Sequence, residues 1–165
     1  MSSICVNGPQ LLPGDFSLGA TIGDIVKKTR DYFDGNSQTA SVTSQDSKQR
    51  DMLSEIFEIY HECKEDNWDE EGAKAISRAA FIDAIKFIEI YPNYLPLPEV
   101  VPTMSGAFDF EWDSEEARCN VELTGDGNIV YAGYFSENDR DYGTKPFKRY
   151  IPEALLDIIK RVIDE

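Results

Sequence analysis

The chain has 165 residues, of which 41% are hydrophobic and 12% aromatic, and its formal net charge is −15 at pH 7. That length and composition suffice for one core that folds without disulfide or metal staples. So negative a surface repels nucleic-acid phosphates and anionic lipid, which argues against direct binding of DNA, RNA or membranes and favours a basic protein partner or a cation.

The charge is unevenly placed. Residues 1–50 hold five basic side chains (Lys27, Lys28, Arg30, Lys48, Arg50) and five acidic ones (Asp15, Asp24, Asp31, Asp34, Asp46), so residues 51–165 carry the whole excess. Residues 1–16 read as irregular, with Pro9, Pro13 and the turn pairs Asn7-Gly8 and Pro13-Gly14. No basic region and no long apolar run marks the start as a signal peptide, and no stretch approaches the roughly 20 apolar residues that span a bilayer. Three cysteines, Cys5, Cys63 and Cys119, have no paired spacing. They suit a reducing cytoplasm better than a disulfide scaffold or a zinc cluster.

Residues 21–33 place Ile22, Ile25, Val26, Thr29 and Phe33 at helical intervals, with Thr21 as cap and Gly35 as stop. The small, polar run Gly35–Ser47 reads as a linker. Residues 1–47 are therefore expected to form an N-terminal arm, and residues 48–165 one domain. A second helix is predicted from Ser47 to Asp66, with Leu53, Ile56, Phe57 and Tyr60 as one apolar stripe. A third follows Ser77, whose hydroxyl can cap it, and buries Phe81, Ala84, Ile85 and Ile88 before Pro92 ends it. The pair should form a helical hairpin with a loop of about ten residues, longer than the usual two to five.

From there the period changes from 3.6 to 2. The segment around Pro96, Pro98 and Pro102 is expected to be extended and cannot be a central strand. Residues 107–113 alternate Phe108, Phe110 and Trp112 with Asp109, Glu111 and Asp113. Residues 117–123 alternate Ala117, Cys119, Val121 and Leu123 with Arg118, Asn120 and Glu122. The turn Ser114–Glu116 separates these strands, and Asp126-Gly127 centres the next turn. Residues 129–135 make a third strand, and a fourth is expected near Thr144–Tyr150. Pro152 opens a last helix that spaces Leu155, Ile158, Ile159, Val162 and Ile163 helically. The fold class is α+β: a helical hairpin, an antiparallel meander of three to four strands, and a C-terminal helix on one sheet face. The pattern leaves open which side of the sheet Trp112 and Cys119 face.

Candidate chemistry is sparse. His61 is the single histidine, and Cys63 two residues on points to another side of the helix, so a Cys–His pair is not favoured. No P-loop, G-x-G-x-x-G or G-x-S-x-G motif occurs. The acidic loop "DNWDEEGA" lacks the spacing of a calcium loop, and "TGDGN" lacks the terminal acidic ligand, so no metal site and no cofactor is predicted. Trp68 has two readings: an anchor whose N–H bonds a loop carbonyl, or an exposed contact for a partner.

The motifs "NWDEEGAKAIS", "LPLPEVVPT", the strand ending in "EW", "GDGNIVYAGYF", "YGTKPF" and "IPEALLDIIKRV" together resemble a group of small bacterial proteins. Their members typically read N-W-D-G-x-G-A, P-x-V-x-P and l-e-W, and open the last helix on I-P. The resemblance covers about residues 66–162, with Asn67, Trp68, Asp69, Gly72, Ala73, Trp112, Gly127 and Gly143 on the pattern. Glu70 departs from it, since a glycine is usual there, which argues against a tight bend at that position. The resemblance implies a bacterial cytoplasmic setting and a shared α+β core, and brings no activity, cofactor or catalytic residue.

The leading expectation is a non-enzymatic, acidic protein-binding module, antitoxin- or inhibitor-like, that engages a basic protein. Trp68, Asp69, Glu70 and Glu71 in the loop, and Asp109, Glu111 and Asp113 on the sheet, are the candidate contacts. Asn67, Gly72, Ala73, Trp112, Gly127 and Gly143 are read as structural. The alternative is a small enzyme that uses carboxylate acid–base chemistry in a cleft between sheet and helices.

Overall fold

The computed structural model describes residues 44–164. Cys5, the helix expected over residues 21–33 and most of the polar linker lie outside the described residues. Within them, helix α1 (Ser44–Glu62) begins inside the expected linker, so Ser44–Ser47 belong to the helix and not to the arm. Helix α2 spans Arg78–Ile90 and helix α3 spans Glu153–Asp164. Five strands lie between them: β1 (Glu99–Pro102), β2 (Phe108–Asp113), β3 (Arg118–Leu123), β4 (Asn128–Ser136) and β5 (Asp139–Pro146).

Helices α1 and α2 run antiparallel. Gln49 near the start of α1 donates to the Ile88 carbonyl near the end of α2, while Tyr60 near the end of α1 stacks on Phe81 near the start of α2, 4.4 Å between centroids. Their connection, residues 63–77, is longer than the expected ten residues. Ser77 caps α2 as predicted, its Oγ accepting from the Ala80 amide at 3.0 Å. The predicted stripe of α2 is buried throughout, joined by Ala80 and Phe87. In α3, Leu155, Ile158, Ile159 and Val162 are buried, but Ile163 is exposed.

The sheet is a pure meander, order β1-β2-β3-β4-β5, antiparallel throughout. It has one strand more than the upper expectation. The extra one is β1, in the proline segment, where an edge position tolerates Pro102. The strand expected near Thr144–Tyr150 is β5, and it sits earlier, at Asp139–Pro146; Phe147 beyond it is buried, and Lys148, Arg149 and Tyr150 are exposed.

Period-two alternation decides which face is covered. Phe108, Phe110, Trp112, Cys119, Val121, Leu123, Ile129 and Tyr131 share one face and are buried. Phe87 of α2 stacks on Phe110 with centroids 5.1 Å apart and tilts against Trp112 and Phe147. Helix α3 lies on the same face, close enough that a Cβ at Gly133 would stand 3.0 Å from Ile158 Cγ2. Among the described residues no polar or charged residue is buried in this core.

Candidate functional site

The acidic loop between α1 and α2 is built from its own backbone. Asp69 Oδ1 accepts from the amides of Glu71 and Ala73, both at 2.9 Å, and these bonds, Ala73 first, hold its carboxyl below the ordinary carboxylate range. Asp66 Oδ1 accepts from the Ala75 amide at 2.9 Å, and the Asn67 amide donates to the Ala73 carbonyl at 2.6 Å. Half-buried Trp68 donates its Nε1–H to the Lys74 carbonyl at 3.1 Å, the anchoring arrangement that the structural reading required. Buried Ala73 seats the loop, and Gly72 bends it at φ +100°. Glu70 bends it as well: it stands at φ +64°, so the tight bend that its side chain argued against is present, next to Asn67 at φ +66°. Glu70 and Glu71 point into solvent.

The loop is tied to the sheet at one point. The Lys74 and Ser77 amides donate to the carbonyls of Met104 and Gly106 in the β1–β2 turn, at 3.0 and 3.2 Å. Its aspartates are engaged by backbone, which makes this segment a fixed corner with Glu65, Glu70 and Glu71 exposed on its rim.

The second candidate group lies on the uncovered sheet face. Trp112 is not part of it: the indole is 4% exposed in the core, and its Nε1–H reaches Tyr91 Oη at 3.1 Å and the Pro96 carbonyl at 3.2 Å. Alternation then sends Asp109, Glu111 and Asp113 to the opposite face, as expected. The register adds two acids that the sequence reading did not count. Glu99 of β1 lies directly opposite Glu111, and Glu122 of β3 directly opposite Asp109. Glu99 was hidden because its proline-flanked segment did not read as a strand; Glu122 was visible in the alternation of residues 117–123. Three adjacent strands thus present Glu99, Asp109, Glu111, Asp113 and Glu122 on one side, with Arg118 opposite Asp113 as the local cation.

These carboxylates are crowded. Asp109 Oδ2 accepts from Asn120 Nδ2 at 3.1 Å, while Oδ1 is buried and meets no donor at hydrogen-bond geometry. Burial pushes the Asp109 carboxyl above its ordinary range, the Asn120 bond opposes the rise, and Glu122 adds to it. Glu111 is raised by burial and then by Asp109, Asp113 and Glu99, against Arg118. Ser105 Oγ in the β1–β2 turn bonds Glu122 Oε1 at 2.8 Å. The acids are spread over a surface: among the described residues no three His, Cys, Asp or Glu side chains converge to hold a metal ion.

Gly127 stands at φ +83° in open space in the β3–β4 turn, and Gly143 lies in β5 beneath Tyr131, whose Oη a Cβ there would meet at 3.2 Å. Cys63 and Cys119 are buried free thiols, Cys119 pushed up to about 12 by burial. No helix of the described residues is long and apolar enough to cross a membrane. A scan against family models, a search of curated proteins and a search of solved structures each returned no match.

Proposed function

We propose that the chain is a non-enzymatic protein-binding module whose acidic sheet face engages a basic protein, in an antitoxin- or inhibitor-like role in a bacterial cytoplasm. The supporting observation is the division of the sheet. Helices α2 and α3 cover one face with apolar side chains, and the face left uncovered by them carries Glu99, Asp109, Glu111, Asp113 and Glu122. Crowded, partly desolvated carboxylates repel one another, and a cationic partner relieves that repulsion on contact. The loop contributes Glu70 and Glu71 at the rim, with Trp68 and Asp69 holding the corner.

Carboxylate catalysis in a sheet–helix cleft finds less support. Among the described residues the buried side chains of the core, including Phe87, Phe108, Phe110, Leu123, Ile129, Leu155 and Ile159, are all apolar, and no carboxylate is buried with them.

The test is tagged capture from a bacterial lysate at low and high salt, with the wild type beside E99Q/E111Q/D113N and beside E70Q/E71Q. The expected result is a basic protein recovered in stoichiometric amount at low salt, released at high salt, lost with the sheet variant and only weakened with the loop variant. Equal recovery by the wild type and the sheet variant would overturn the reading.

A further inference from the structure

The two edges of the sheet are finished differently. Strand β1 is four residues long and is bounded by Pro98 and Pro102, which is how natural sheets blunt an edge. Strand β5 is eight residues long and exposed over most of its length, and among the described residues it pairs only with β4.

Its free hydrogen-bonding groups can be assigned. The Phe147 amide donates to the Gly127 carbonyl at 2.8 Å, which makes 127 and 147 a hydrogen-bonded pair. Antiparallel ladders alternate such pairs with non-bonded ones. Lys145, Gly143 and Asp141, opposite Ile129, Tyr131 and Gly133, therefore bond to β4. Arg140, Tyr142 and Thr144 turn their N–H and C=O groups to the open edge. Pro146, which has no N–H, closes this row at one end, and the irregularity between Tyr134 and Ser136 closes it at the other.

We propose that this edge pairs with β5 of a second copy, antiparallel across a two-fold axis through Gly143. Such an axis keeps each sheet face on the same side, so only registers centred on a residue are allowed. Centring on Asp141 would set two aspartates against each other. Centring on Tyr142 would place Lys145 opposite Asp139, which is already bound to Arg161. Centring on Gly143 sets Tyr142 against Thr144 in hydrogen-bonded pairs and places Asp141 opposite Lys145 at both ends. It also puts Gly143 against Gly143 in a close, non-bonded pair where no side chains collide. The segment "DYGTK" is charge-complementary to its own reverse, and Tyr142, 78% exposed, gains a cross-strand neighbour.

This inference does not rest on the acidic-face reading, and salt separates the two. Each copy carries −15, so self-association is expected to tighten as ionic strength rises to about 0.15 M, where long-range repulsion is screened. Binding of a basic protein loosens over the same range.

Sedimentation velocity of the full chain, up to about 100 µM, tests it. A monomer–dimer equilibrium is expected in the wild type. Thr144→Pro removes an outward N–H without touching a bond to β4 and should weaken the dimer at least about tenfold. Lys145→Asp should weaken it similarly, and Asp141→Lys with Lys145→Asp should restore it. Thermal unfolding confirms that each variant is folded; if Thr144→Pro is not, the charge pair decides. A wild type that stays monomeric throughout overturns the proposal, including one that takes up a foreign strand on β5 instead. So does a dimer that both Thr144→Pro and Lys145→Asp leave intact.

Discussion

A Cβ on Gly125 would lie 2.3 Å from the Ala80 amide nitrogen and 2.6 Å from the Ala79 carbonyl carbon, at a backbone φ of +82°. Gly127, two residues on, has nearly the same φ and nothing within reach. The two substitutions therefore separate backbone strain from collision. Gly127→Ala should cost about 1 kcal/mol, the left-handed penalty alone. Gly125→Ala should cost roughly 3 kcal/mol or more, because the first turn of α2 must also move. Urea unfolding of both variants measures the difference. Glu70 offers the opposite case, a non-glycine side chain held at φ +64°. Removing it relieves about 1–2 kcal/mol of left-handed strain, against about 0.5–1 kcal/mol of extra freedom in the unfolded chain. Glu70→Gly is expected to raise stability by a few tenths of a kcal/mol, and Glu70→Val to lower it by more than about 1 kcal/mol. A stabilising Glu70→Val in the same assay would show that the bend is not strained.

At the scale of elements, the uncovered side of β2 makes stability depend on pH, whereas its covered side, Phe108, Phe110 and Trp112, carries no titrating group. Asp109 of β2 is held above its ordinary range by burial, so between its unfolded and folded values the folded chain binds the extra proton. Stability then falls as pH rises through that window, and the cost is fully present at neutral pH. Asp109→Asn keeps an oxygen to accept from Asn120 and removes the charge. It should raise stability by roughly half a kcal/mol at pH 7, after screening at a half-exposed site, and by nothing at pH values below the ordinary carboxylate range. Chemical denaturation at the two pH values gives the comparison. Helices α2 and α3 and strands β2, β3 and β4 were legible because their periodicity is set by a single buried face. Strand β1 was not, since prolines argue against a strand until the sheet order shows it to be an edge. Strand β5 was displaced along the sequence because Asp139, Arg140 and Asp141 give no apolar alternation; β4 recruits it through backbone bonds. The acidic face was legible in β2, where Asp109, Glu111 and Asp113 alternate against a buried aromatic row. It was not legible in β1, because Glu99 joins the face through register alone. Gly125 was invisible for the same kind of reason, as its constraint comes from a helix 45 residues away in sequence.

For the molecule as a whole, the proposed binding and the proposed self-pairing would make opposite demands on ionic strength, and the two surfaces lie on different strands. The acids belong to β1, β2 and β3, whereas the open edge belongs to β5. The meander has a further consequence, for synthesis. Among the described residues every strand bonds only to its neighbours in sequence, so each hairpin of the sheet can close as soon as its second strand leaves the ribosome. The apolar side of β3 and β4 is different. Gly133 and Phe135 are complete before α3 has been made, and they wait for Ile158 and Arg161 to arrive. A nascent chain stalled at the end of β5 would display a finished sheet with part of its greasy side bare, the species that a chaperone binds and that a crowded cell aggregates.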